Sequence, residues 1–127
     1  MIAVDTSAIM AILLQEPSLD DCASILSASS RTLISAGTLA EVHITATMRG
    51  LDTELNTLLE RMKFEIVPVT ADVSKRMGKI YSRWGKRIHR ASLNFGDCFA
   101  YDVAKQNDCP LLFIGNDFSQ TDIKSAL

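Results

Sequence analysis

Residues 94–101 read NFGDCFAY, and the carboxylate in the middle of that stretch decides how the rest of the chain is read. Asp97 stands among Phe95, Cys98 and Phe99, in a composition that asks to be buried. The positions three and four residues away hold Leu93, Asn94, Ala100 and Tyr101, so no cation can pair with it along a helix. A carboxylate in apolar surroundings without a partner is costly. Something beyond its own helix must account for it.

Outward from this octapeptide the pattern alternates. IAV (2–4) and TLIS (32–35) are short apolar runs suited to buried strands. FEIVPV (64–69) is a third, rich in β-branched residues, with Pro68 marking an edge or an end, and LLFI (111–114) is the last, closed by Gly115. Between them the spacing predicts helices over 7–15, 18–30, 37–49, 51–62 and 71–84, with Ser18 as an N-cap and Glu16-Pro17 and Gly50 as stops. A loop, GKRIHRAS (85–92), leads to the helix that carries Asp97. Strands alternating with helices imply an α/β fold, a parallel sheet covered on both faces, in one domain of residues 1–127. Such sheets hold ligands beyond the carboxyl ends of their strands.

Composition narrows the class further. A hydrophobic content of 47% with 22% charged residues is ordinary for a globular chain. Cys22, Cys98 and Cys109 form no C-x-x-C pair, which argues against a disulfide framework or a zinc site and for reduced thiols in the cytoplasm. MIAVDTSAIMAILL (1–14) is apolar, but it lacks a basic leader and Asp5 interrupts it. It reads as neither a signal peptide nor a membrane span. Net charge is −2, yet seven of the thirteen basic residues fall between Lys75 and Arg90, and no acid occurs from Val73 to Gly96. A solvated helix face is the ordinary reading of such a run, and a polyanionic partner the functional one.

The fifteen acids sort by their neighbours. Asp72 has Lys75 and Arg76, Glu60 has Lys63 and Asp102 has Lys105, all at surface-pair spacing. Asp5, Glu41, Asp97 and Asp117 have no such partner. Each has a local explanation: Thr38 to Glu41 matches a capping box, Asn94 to Asp97 a close variant, Asp5 or Ser7 could cap a helix, and Asp117 could start a turn. Those explanations leave one fact over. All four map to strand ends or to first turns of helices, the end where a site forms. Four anions gathered there repel unless a cation sits among them. Carboxylates are hard oxygen donors suited to Mg²⁺ or Mn²⁺, and with only His43 and His89 a histidine-based centre is poorly supported. His43 and Cys98 read as packing residues.

The assembled stretches, MIAVDTSAIMAILLQEP, LISAGTLAEV, YSRWGKRIHRASLNFGDCFAYDVAK and LLFIGNDFSQTDI, resemble the PIN-domain family, in particular the VapC ribonuclease toxins of bacterial toxin–antitoxin pairs. The resemblance spans nearly the whole chain. It implies a three-layer α/β/α PIN fold and an Mg²⁺-dependent endoribonuclease site with Asp5, Glu41, Asp97 and Asp117 at the acidic positions. It also implies a homodimer and a VapB-type antitoxin that wraps the toxin and inserts an Arg near Asp5 and Asp97; the apolar stripe of Leu51, Leu55, Leu58 and Leu59 is a candidate surface for that wrapping, with ordinary core as its other reading. Two departures stand out. Relatives often carry consecutive acids where this chain has Asn116-Asp117, and tend to have Gly where it has Arg87.

The residue inventory then suggests a mechanism. Without a histidine pair, metal-activated water attacking phosphorus in line is the expected route. Asp5 and Asp97 are the first choices as ligands, with Glu41 and Asp117 binding metal or its water and Thr6, Ser7, Asn94 and Asn116 supporting them. Lys86, Arg87, His89 and Arg90 are candidates to track the RNA backbone. Tyr81 and Trp84 could stack on bases, although core packing is the simpler reading. Two rivals remain: a PIN fold without catalysis, and a phospho-receiver domain. The receiver needs adjacent acids near its first strand and a late Lys, which this chain lacks.

Overall fold

A computed structural model describes residues 1–127 throughout. The central strand β1 (Ile2–Val4) pairs in parallel with β2 (Thr32–Ser35) on one side and with β4 (Leu111–Leu112) on the other. β3 (Glu65–Val67) extends the sheet from β2 to give the order β3-β2-β1-β4. Pro68 follows at the outer edge, where the missing N–H costs no ladder bond.

Side chains alternate across a strand, and here that alternation separates two cores. Ile2, Val4, Ile34 and Leu112 pack with α1 (Thr6–Leu13), α2 (Leu19–Ala28), α3 (Ala36–Met48) and α4 (Asp52–Met62) through Ile9, Cys22, Val42 and Leu55. Ala3, Leu33 and Leu111 face α5 (Ala71–Trp84) and α6 (Phe95–Gln106) through Trp84, Cys98, Tyr101 and Val103. Each fully buried Leu or Ile contributes roughly 1.5–3 kcal/mol. This is the three-layer arrangement that the alternation implied. No helix is long and apolar enough to cross a membrane.

Helix α6 is buried from Cys98 to Ala104. Gly37 lets α3 close on it, since a Cβ there would stand 2.7 Å from the Phe99 ring. That approach brings Glu41 on α3 against the first turn of α6.

Several local expectations change. α3 starts at Ala36, directly after β2, and Ser35 caps it by accepting from Gly37 N–H at 3.1 Å. The Thr38–Glu41 capping box therefore does not form, Thr38 is buried with an unpartnered hydroxyl, and Glu41 falls in the second turn. Ser18 occupies the N-cap position of α2 but makes no side-chain bond. β4 is only two residues long because Ile114 N–H turns away to the Ser7 hydroxyl. In compensation, Leu111 exchanges backbone bonds with Lys124 and Ala126, so the C-terminal segment lies along β4.

The three expected surface pairs are also absent. Asp102 faces α5, where Arg76 reaches it at 2.6 Å, while Lys105 pairs with Asp122 at 3.0 Å. Lys63 adopts a left-handed conformation at the end of α4, which takes it off the helical face shared with Glu60.

Candidate active site

Chain order reverses between β1 and β4, and it is beyond the carboxyl ends of strands at such a point that parallel sheets hold ligands. Asp5 emerges there from the central strand and caps α1. Its Oδ2 accepts from the Ser7 N–H at 3.0 Å and from the Ser7 hydroxyl at 2.6 Å. The same hydroxyl accepts from Ile114 N–H at 3.0 Å, so Ser7 ties the end of β4 to Asp5. Asp5 is only 4% exposed, and its second oxygen, Oδ1, is buried with no hydrogen-bond partner. Burial raises its pKa against the opposing Ser7 bonds, and Glu41 adds repulsion.

Asp97 sits one turn into α6. The capping box is real: Asn94 Oδ1 accepts from Asp97 N–H, and Asp97 Oδ2 accepts from Asn94 N–H, both at 2.9 Å. It is not the whole account. Burial first, and then the charges of Asp5, Asp117 and Glu41, push the Asp97 carboxyl up to about 6 despite the Asn94 bond. The four acids singled out in the sequence feel one another.

Glu41 Oε1 accepts from the Thr6 hydroxyl at 2.5 Å. Its carboxylate lies so close to Gly96 that a Cβ at that position would collide with Oε2. Asp117 is exposed and follows Gly115, whose φ of +104° favours glycine. A 3-10 turn (Phe118–Gln120) continues from it, anchored by buried Phe118 against Phe113. Asn116 is exposed, its carbonyl accepting from Ser119.

No three acid, imidazole or thiol groups stand close enough together to share a metal ion as they are arranged. The donor set nevertheless fits a hard divalent cation. It is all carboxylate oxygen, it is mutually repulsive, and it includes a buried oxygen, Oδ1 of Asp5, that lacks any donor. Asp5 and Asp97 would hold the ion, with Glu41 and Asp117 beside them.

The basic loop closes at its base where Leu93 N–H meets the Trp84 carbonyl, one residue before Asn94. Lys86, Arg87 and Arg90 are exposed and take part in no ion pair. His89 is shaped into the loop instead: its ring packs edge-on to Trp84 at 4.8 Å and its Nδ1 accepts from Ala91 N–H. Trp84 is core, with Nε1 donating to the Tyr101 hydroxyl at 3.0 Å. Cys98 is buried as expected, whereas His43 is exposed rather than packed. The residue missed by sequence reasoning is Phe95. It is 72% exposed and lines the same cavity as Glu41.

Comparison with known proteins identifies the family and the fold. The PIN domain family model matches residues 2–124. Ribonuclease VapC30 of Mycobacterium tuberculosis is 37% identical over 123 residues, covering 94% of each chain. Ribonuclease VapC36 of the same organism is 39% identical over 126 residues, covering 95% of this chain and 90% of its own. Among solved structures, the sarcin-ricin loop cleaving toxin VapC20 of Mycobacterium tuberculosis superposes with a TM-score of 0.79 at 18% identity, over 97% of this chain and 96% of its own.

Proposed function

This chain belongs to the PIN-domain family, within its VapC ribonucleases, and from that premise we propose an Mg²⁺- or Mn²⁺-dependent endoribonuclease toxin whose site is Asp5, Glu41, Asp97 and Asp117. The observation that carries the reading is the buried, partnerless Oδ1 of Asp5 among coupled carboxylates. When bound, the divalent ion supplies Lewis-acid polarisation of the phosphate and a lowered pKa for water.

The protein's own groups supply the positioning. Ser7 engages Asp5 Oδ2 twice, leaving Oδ1 as the free donor atom. Thr6 engages Glu41 Oε1, leaving Oε2 to accept a proton from water. Asn94 holds the backbone of Asp97 in place. Lys86, Arg87 and Arg90 offer cations to the RNA backbone beside this site. An imidazole pair acting through the 2′-hydroxyl has no counterpart, since His89 is packed on Trp84 and His43 is exposed on α3.

The three buried free thiols suit a reducing cytoplasm. An antitoxin of the VapB type is the expected restraint, and a homodimer the expected assembly. A groove of about 310 Å³ between α1 and α4, lined by Ile12, Leu13, Leu58 and Arg61, supports coverage by an amphipathic segment. Leu55 is buried and Leu51, Leu58 and Leu59 are half-buried, so much of the leucine stripe serves the core.

The direct test maps new 5′ ends in total RNA after a brief pulse of expression, against an Asp97→Asn control. Discrete metal-dependent cuts absent from the control are expected. Identical end maps would refute the assignment.

A further inference from the structure

We propose that Phe95 is a stacking platform that positions a base next to the scissile phosphate. The proposal rests on the ribonuclease reading above and adds a substrate-contacting residue to it. Phe95 lies two residues before Asp97, yet 72% of it faces solvent, on a helix that is otherwise largely inner. A large aromatic left in water beside a polar site is the informative kind of exposure.

The ring is held in place. It meets Phe99 edge-on, with centroids 5.0 Å apart and planes at 81°. Phe99 is itself wedged against Gly37 and only 9% exposed. Phe95 therefore presents its free surface with little rotamer freedom to lose on binding.

Two hollows meet at this ring. One, of about 430 Å³, runs between α3 and α6 and is lined by Phe95, Gly96, Ile44, Thr45 and Glu41, so it ends on a carboxylate of the site. The other, of about 350 Å³, lies against α5 and is lined by Met77, Gly78, Tyr81, Phe95 and Cys98. Helix α5 carries Lys75, Lys79 and Arg83. Phe95 lines both hollows and separates the one that reaches Glu41 from the one beside α5. A single strand whose phosphate reaches the carboxylates can lay a neighbouring base on this exposed ring. Aromatic stacking accepts any base.

Ile44 and Met48 extend the exposed apolar surface along α3, which a second copy of the chain could also cover. The groove ends on Glu41, however, and a second copy seated there would close the site to its own substrate. The lining, apolar walls leading to a carboxylate, matches a nucleotide better than a helix face.

The test uses short single-stranded RNA oligonucleotides that the wild type cuts at one mapped bond with Mg²⁺ or Mn²⁺. Phe95→Ala should lower kcat/KM by about tenfold or more, chiefly through KM, while Phe95→Trp retains activity and Phe95→Leu does not. Abasic substitution at the nucleotide flanking the cut should depress the wild type equally and leave Phe95→Ala no worse. Thermal melts confine the comparison to folded variants. Additive losses at every abasic position, or full activity in Phe95→Ala, would overturn the proposal. So would dissociation of a wild-type dimer by Phe95→Ala with cleavage unchanged, which assigns the surface to a second copy. A wild type that is folded and metal-loaded yet cuts no RNA brings down the ribonuclease reading itself, a result distinguishable from all of these.

Discussion

Helix α6 carries two acids, Asp97 and Asp102, in opposite circumstances. Asp102 is 3% exposed and clamped by Arg76 of α5, through Nε at 2.6 Å and Nη2 at 3.1 Å. Asp97 has only its own helix start and three other anions for company. The first is a carboxylate whose charge is fully answered inside the fold. The second is one whose charge the fold leaves unanswered. Burial marks neither as functional, because the deeper of the two is the structural one. What separates them is whether the protein itself supplies the counter-charge.

Exchanging the two carboxylates one at a time should break that contrast most visibly. Asp97→Asn should lower kcat on the order of a thousandfold or more, since it removes a donor to the ion at the reacting centre. The amide oxygen can still accept from Asn94 N–H, so the cap survives. With EDTA present the variant should unfold no earlier than wild type and be more stable by about 1 kcal/mol, a value discounted for the solvent that reaches this half-buried group. Asp102→Ala should do the reverse. It should lower the urea midpoint measurably while leaving activity per folded molecule near wild type. Substantial cleavage by a metal-loaded Asp97→Asn protein would dissolve the distinction.

Supplying the missing counter-charge should sharpen it. At one hundred times its dissociation constant, a divalent ion bound only to the folded state adds about 2.7 kcal/mol. Calorimetry with Mg²⁺ or Mn²⁺ should show the corresponding rise in Tm for wild type and for Asp102→Ala, and none for Asp5→Asn. A midpoint that stays level across a saturating titration would mean that the carboxylates do not form a cation site.

The four acids proposed for the site stand out in the sequence because none has a cation at helical pairing distance, and the structure adds no ion pair to any of them. Asp97 has no cation within a turn, and folding did not bring one from elsewhere. Asp102 misleads for the same reason in reverse. Lys105 stands at pairing distance in sequence, but α5 packs Arg76 onto that face, and spacing on one helix carries no information about its neighbour. The start of α3 is misplaced in sequence because Thr38 to Glu41 matches a capping box, whereas the helix begins directly after β2 with Ser35 as its cap. Phe95 was invisible to hydrophobicity. Its sequence context asks for burial, and only the opening between α3 and α5 at the head of α6 leaves it in solvent. The alternation of strands and helices, by contrast, is a short-range pattern, and it carried the layers and the parallel sheet intact.

The basic loop offers a smaller effect on the same contrast, because its cations answer charges on the substrate and not on the protein. Changing Lys86, Arg87 and Arg90 together to Ala should weaken binding of single-stranded RNA across all sequences. It should flatten the dependence of log K on log salt by roughly 2, at about 0.7 for each phosphate that is no longer neutralised. An unaltered slope would return these side chains to bulk solvent.

The smallest effect belongs to Asp122, which stands between the two extremes. It is partly exposed, yet Tyr101 donates to its Oδ1 at 2.7 Å and Lys105 to its Oδ2 at 3.0 Å, with Arg83 at 4.0 Å. Burial works to raise its pKa, but the bonds from Tyr101 and Lys105 outweigh it and the net shift is downward. The Tyr101 phenol is pushed up to about 12, by burial first and then by the bond to Asp122, so it remains a donor through the acid range. A depressed carboxyl stabilises the fold above its unfolded value, near 4, and that contribution is lost as pH falls through the lower folded value. Wild type should therefore exceed Asp122→Asn in stability by under about 1 kcal/mol at neutral pH, with the gap closing below pH ~4 and shrinking in high salt. Urea midpoints for the two proteins at pH 7 and pH 3 measure it directly. A gap that widened towards acid would mean that Asp122, like Asp97, carries a charge the fold does not answer.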